Sequence, residues 1–188
     1  ALPFDVAATI PVAGTTAYDL AHGAALQPGD TIVVLGAGGG VGHLACEIGR
    51  ALGLRVIGIA SARKEELVTS TGATFVASGL GAMAGVRELA PDGVDLIVDL
   101  VGGDALQEIA PLAISPDRIL SAADPVTAIE LGGSGRTSAP EALQHITALI
   151  ASGAITVQIS ARYPLSEAGA ALALVEAGHA TGKVVIIP

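Results

Sequence analysis

Short runs of β-branched and aliphatic residues alternate along the chain with longer stretches whose apolar residues recur every three or four positions. The first pattern predicts buried strands and the second amphipathic helices. Strands are predicted at 31–36, 55–60, 74–77, 94–100, 118–122, 157–161 and 183–187, with a possible short edge strand at 128–131. Helices are predicted at 5–10, 15–26, 41–52, 63–70, 80–90, 104–112, 140–152 and 166–177. Pro28-Gly29-Asp30 marks a turn, Gly53 stops a helix, Pro140 opens one, and Ser166 is a candidate N-cap. The segment 124–139 reads as loop-rich. Strand and helix in regular alternation predict one doubly wound α/β domain, with helices on both faces of a mostly parallel sheet.

The first strand runs directly into Gly36-Ala37-Gly38-Gly39-Gly40-Val41-Gly42. The strict G-x-G-x-x-G fingerprint is absent, because Ala37 stands at its first position, with Gly39 and Gly42 at the second and third. Without a Cβ, Gly39 lets a diphosphate approach the main chain, and Gly42 lets the following helix pack against the strand. The free N–H groups of that helix start then face the phosphates. A glycine turn that binds nothing is the competing reading. Its place between a buried strand and an amphipathic helix favours a dinucleotide site. His43, next in line, reads as a surface or packing residue.

Composition narrows the partners. The 188 residues carry a net charge of −9, which argues against a nucleic-acid or anionic-membrane partner. Any phosphate site must therefore use backbone donors or a few local cations. Half of the residues (51%) are hydrophobic, with only two Phe, two Tyr and no Trp, so the core is built from Val, Ile, Leu and Ala. A single cysteine, Cys46, excludes an intrachain disulfide and a cysteine-based zinc cluster, and fits a reducing, cytoplasmic setting. No apolar stretch is long enough for a transmembrane helix, and residues 1–14 lack the charged start of a signal peptide.

The second predicted strand ends in Ala60-Ser61-Ala62-Arg63-Lys64, where NAD-binding proteins tend to place an acid for the ribose hydroxyls. Here no carboxylate comes before Glu65. Ser61 can donate a hydrogen bond, and Arg63 and Lys64 can pair with a 2′-phosphate, which favours NADP(H) over NAD(H). The plainer alternative is that the two cations are solvated residues of a first helical turn.

Residues 2–21, 28–61, 70–74, 93–103 and 180–188 together resemble the cofactor domain of the medium-chain dehydrogenase/reductases, in particular the zinc-independent quinone oxidoreductase branch. The likeness covers nearly the whole chain, in family order, and weakens between Asp124 and Ala139. It implies a doubly wound, Rossmann-type, six-stranded sheet carrying NAD(P)(H), with contacts to the cofactor from Ala37, Gly38, Gly39, Gly40, Val41 and Gly42. It also implies nicotinamide-end contacts from Thr16, Leu100 and Val101, with 121–123 in the next crevice. Zinc-using relatives carry a cysteine near the position of Val12, so no catalytic metal is expected. The family's N-terminal GroES-like substrate domain has no counterpart here, which implies a fragment that binds NADPH without useful turnover. The resemblance implies hydride transfer to a small-molecule quinone or activated enone or aldehyde, and a homodimer formed through a sheet edge at 128–131 or 157–161. No residue stands out as an obligatory acid or base. Tyr18 and Tyr163 lack the lysine four residues on that a short-chain dehydrogenase needs, since His22 and Glu167 stand there. A methyltransferase would want an acid after the second strand. A cofactor-binding sensor or scaffold without redox chemistry would use the same residues.

Overall fold

The computed structural model describes residues 1–178 and 180–188. Its centre is a parallel six-stranded sheet ordered β3-β2-β1-β4-β5-β6, where β1 is Thr31–Leu35, β2 Arg55–Ala60, β3 Thr74–Ala77, β4 Leu96–Asp99, β5 Ile119–Ser121 and β6 Ser134–Gly135. Successive side chains of a strand face opposite ways, so a strand covered on both sides must be apolar throughout. In β1, Ile32 and Val34 join one core cluster, and Val33 and Leu35 join the other. The first core holds α2 (Thr15–His22), α3 (Gly42–Ala51) and α8 (Ala142–Ala151) to the sheet through Leu20, Ile48 and Ile146. On the opposite face, Val86 of α5 (Ala82–Leu89) and Leu106 of α6 (Gly103–Ile109) pack into the second. Between β1 and β4 the chain changes its direction of travel across the sheet, which is where doubly wound folds open a crevice.

Several boundaries differ from the pattern-based expectation. The lead-in is α1 (Phe4–Ala7) and then a π-turn, Ile10–Gly14, before α2. Helix α2 ends at His22 rather than residue 26, because the chain turns at Gly23, where a Cβ would lie 2.4 Å from Leu120 Cδ1. The segment 63–70 splits into a 3-10 turn, Ala62–Lys64, and α4, Glu65–Ser70. Ser166 is not an N-cap: it lies in the 3-10 turn Leu165–Glu167, and α9 begins two residues later, Ala168–Glu176.

Two expectations fail on topology. Residues 128–131 form no edge strand; Ala128 through Glu130 belong to α7, Pro125–Glu130. The Asp124 carboxylate caps it by accepting from the Thr127 N–H at 3.1 Å, Pro125 opens it, and Ala128 is buried while Ile129 is exposed. The sixth strand is instead the two-residue β6. Likewise 157–161 does not extend the main sheet. The strand there is β7, Ile159–Pro164, which pairs in parallel with β8, Lys183–Ile187, as a separate ribbon.

Candidate active site: a cleft divided by the glycine turn

Gly36 leaves β1 with φ +90°, a conformation that strains residues with a side chain, and it lets the chain turn sharply over the sheet edge. Gly42 is bare for a different reason. A Cβ there would come 2.2 Å from the Gly36 carbonyl and 2.7 Å from Ala37 Cα, so only glycine lets α3 seat against the turn. Ala37 lines neither side of the cleft. It is fully buried, and its methyl lies 2.9 Å from where a Gly58 Cβ would be, against β2. The strict fingerprint's first glycine can therefore be alanine without narrowing the cleft.

Gly39 differs from both neighbours. Its φ is not left-handed, and a Cβ would meet nothing nearer than the Gly36 carbonyl at 3.4 Å, an ordinary contact. Nothing inside the protein demands a glycine at this position. The N–H groups of Gly40, Val41 and Gly42 likewise find no acceptor among the described residues, and they sit at the positive end of the ten-residue α3. The bare main chain and its unused donors suit an anion such as a diphosphate.

The turn divides two cavities that share Gly36, Gly39 and Leu100. The first, of about 410 Å³, is lined by Thr16, Gly40, Val41, Ala122, Ala123 and Arg136 as well. The second, of about 470 Å³, takes in Ser61, Arg63, Lys64, Ser78 and Val101. The candidates named from sequence thus gather around one cleft, apart from Ala37, but Val101, expected beside Thr16 and Leu100, lines the second cavity instead, because the chain leaves β4 on that side of Leu100. Thr16 donates its hydroxyl proton to the Val12 carbonyl (2.7 Å), which leaves oxygen lone pairs at the first cavity. Arg63 donates to the Gly178 carbonyl at 2.9 Å. Lys64 lays its stem over Gly38, and burial followed by the neighbouring Arg63 charge lowers its pKa.

Several residues that shape the cleft escaped sequence reasoning. His43 is 1% exposed and ties two segments together. Its Nε2 accepts from the Gln158 N–H (3.1 Å), so the ring proton sits on Nδ1, which donates to the Gly39 carbonyl (2.9 Å). Burial, and next to it the Lys183 charge, holds its pKa below the usual range and keeps the ring neutral. Asp99, fully buried at the end of β4, accepts from the N–H groups of Val101 and Gly102 and from the Ser121 hydroxyl. It thereby fixes both crevice loops, and its signal was a lone acid closing an apolar strand. Arg136 reaches the cleft from the segment matched least by family pattern. Its Nε donates to the buried Asp19 carboxylate at 2.7 Å, and a second nitrogen donates to Thr15 Oγ1 at 3.3 Å.

A 3-2-1-4-5-6 parallel sheet with a two-part cleft across a glycine turn defines a pyridine-nucleotide-binding fold. Comparison with known proteins places the chain more closely. The profile of the zinc-binding dehydrogenases matches residues 64–186, and the chain belongs to that family, within the medium-chain dehydrogenase/reductases. It is 33% identical to a quinone oxidoreductase of Pseudomonas aeruginosa over its whole length, spanning 66% of that protein. Its fold superposes on an NAD-dependent alcohol dehydrogenase with a TM-score of 0.86 at 26% identity, covering all of this chain and 60% of the other. A mycobacterial protein complexed with NADPH gives 0.80 at 28%, covering 98% and 66%. The chain thus spans 60–66% of the length of these three relatives. Among the described residues, no group of three or more His, Cys, Asp or Glu could hold a metal ion, and no helix is long and apolar enough to cross a membrane.

Proposed function

We propose that the chain binds NADPH and forms the cofactor-binding part of an oxidoreductase that passes hydride to a quinone or to an activated enone or aldehyde. The observation that carries this reading is the pair of cavities meeting at Gly39, where main chain is bare and amides are unused. A dinucleotide has the matching shape: two nucleosides joined by a diphosphate. The nicotinamide end fits the cavity beside Thr16, Leu100 and Ala122; the adenosine end fits the one beside Ser61 and Lys64.

The choice of NADPH rests on charge. No carboxylate lines the adenosine-side cavity among the described residues, and Arg63 and Lys64 both do. A 2′-phosphate there meets cations rather than an acid. When bound, the cofactor supplies the hydride; the chain's residues orient it and keep the ring against the apolar side of Leu100. Catalysis without zinc is part of the proposal, supported by the exposed Val12 at the position of the family's metal-ligating cysteine.

Calorimetric titration of the chain with NADPH and with NADH tests the cofactor. NADPH should bind more tightly, and Arg63→Ala combined with Lys64→Ala should narrow the gap. Equal affinities in the unaltered chain would remove this reading of the cluster. A quinone and enone panel, followed through NADPH absorbance, addresses the reaction itself. We expect little turnover from these 188 residues assayed by themselves.

A further inference from the structure

Asp99 ends β4 fully buried, and the register of the sheet fixes what lies around it. It pairs with Leu35 of β1 on one side and with Ser121 of β5 on the other. The residues that follow these three in the chain are Gly36, Leu100 and Ala122, and all of them line the first cavity. Asp99 itself lines neither cavity. It stands one residue behind the floor of the first.

Both oxygens of Asp99 act as acceptors. Oδ1 takes the Val101 N–H at 3.0 Å and the Gly102 N–H at 2.8 Å, and Oδ2 takes the Ser121 hydroxyl at 2.6 Å. Ser121 is buried too, and its oxygen already accepts from the Asp124 N–H at 2.8 Å. Among the described residues its proton has no acceptor other than Asp99. Three donors converging on one acid suit the ionised form, which accepts at both oxygens and donates from neither. All three donors are neutral groups. Among the described residues no lysine, arginine or histidine lies within ion-pair distance of Asp99.

A buried charge without a counter-ion is unfavourable, and neutral donors offset only part of that penalty. The charge that does line the first cavity is matched: Arg136 meets the buried Asp19 carboxylate at 2.7 Å, so the pair adds little net field. The unmatched anion is Asp99. A nicotinamide ring is neutral in the reduced cofactor and carries a positive charge in the oxidised one. In a site of low dielectric, an anion behind the cavity favours the second over the first.

Resting on the dinucleotide reading above, we propose that Asp99 is the residue that sets the site's preference between the two oxidation states of the cofactor. Its charge strengthens the hold on the oxidised form relative to the reduced one. By thermodynamic linkage, the bound reduced form is then the stronger hydride donor. The phosphates are common to both forms, so their interactions cancel from the comparison. Ser121 is a positioning residue in this arrangement, joining the 121–124 loop to the carboxylate through one hydroxyl.

The test titrates the whole chain with NADP⁺ and with NADPH and follows the ratio of the two Kd values. Asp99→Asn keeps the shape of the side chain and removes its charge. It should raise Kd(NADP⁺) over Kd(NADPH) by about tenfold, the effect of one buried charge at an effective dielectric of about 20. Ser121→Ala keeps the charge and frees the loop, so it should weaken both forms alike and leave the ratio as it was. An unchanged ratio in a folded Asp99→Asn overturns the proposal and leaves the dinucleotide reading standing. An equal shift of the ratio in Ser121→Ala overturns it too, by assigning the effect to loop geometry. Should Asp99→Asn fail to fold, the unaltered chain decides: NADP⁺ should bind at least as tightly as NADPH, and the opposite preference counts against the charge. An unaltered chain that binds neither form removes both readings.

Discussion

Two glycines three residues apart, Gly39 and Gly42, are bare for opposite reasons, and substitution separates them. At Gly42 a methyl would collide with the Gly36 carbonyl and Ala37, both backbone that holds the sheet edge. Gly42→Ala should cost about 3 kcal/mol, the upper range for overpacking, read as a shift in the urea midpoint. Gly39 meets no such obstacle, so substitution there should spare the fold. Cys46 gives a further prediction at this scale. It is fully buried, and burial pushes its thiol up to about 12, so the thiolate is absent at neutral pH. Iodoacetamide should leave it untouched in the native chain and label it on unfolding, as mass spectrometry would show. Labelling of the folded chain would contradict the burial.

Between elements, the site depends on ties that cross long stretches of sequence. Arg136, just after β6, pairs with the buried Asp19 of α2, whose other oxygen accepts from the Ala139 N–H. Arg136→Ala strands a buried carboxylate and should lower stability by about 3 kcal/mol, as when one partner of a buried ion pair is removed. His43 links α3 to the ribbon as a neutral ring; the Lys183 charge from β8 acts on it, and Glu47 of its own helix lines the same small cavity. Its folded pKa lies below the ordinary 6.5, so the unfolded chain takes up the proton first. Stability from this ring is full above pH 6.5 and declines as pH falls toward the folded pKa. His43→Asn should flatten that limb in a series of thermal unfolding curves. These ties mark the limit of what could be read from sequence. Strand β1, the turn and α3 are adjacent in the chain and carry strong local patterns, so the sequence revealed them. The cap on α7 is also written locally, in Asp124-Pro125 and Thr127, yet the apolar Ala128, Ile129 and Leu131 equally suit a short edge strand in a loop-rich segment. The partners of His43 and Arg136 lie on distant segments, and no local period points to them.

For the molecule as a whole, the main sheet ends at β6 in two residues, which leaves little edge for another chain to pair with. The ribbon is different: β8 carries exposed Ile186 and Ile187 near its end. We propose that a homodimer, where it forms, pairs through the ribbon rather than through 128–131. Light scattering should give twice the chain mass, and Arg substituted for Ile186 should return it to one; a monomer in the unaltered chain would remove the idea. The chain's net charge of −9 leaves the proposed phosphate site to backbone donors and a few local cations, Arg63 and Lys64 among them. The central claim is that a diphosphate rests on the main chain at Gly39. Calorimetric titration of NADPH into the chain and its Gly39→Val variant tests it most directly. The account predicts binding to the first and an affinity at least about tenfold weaker in the second, with nearly the same unfolding temperature. Equal affinity in the two, with both folded, would contradict it.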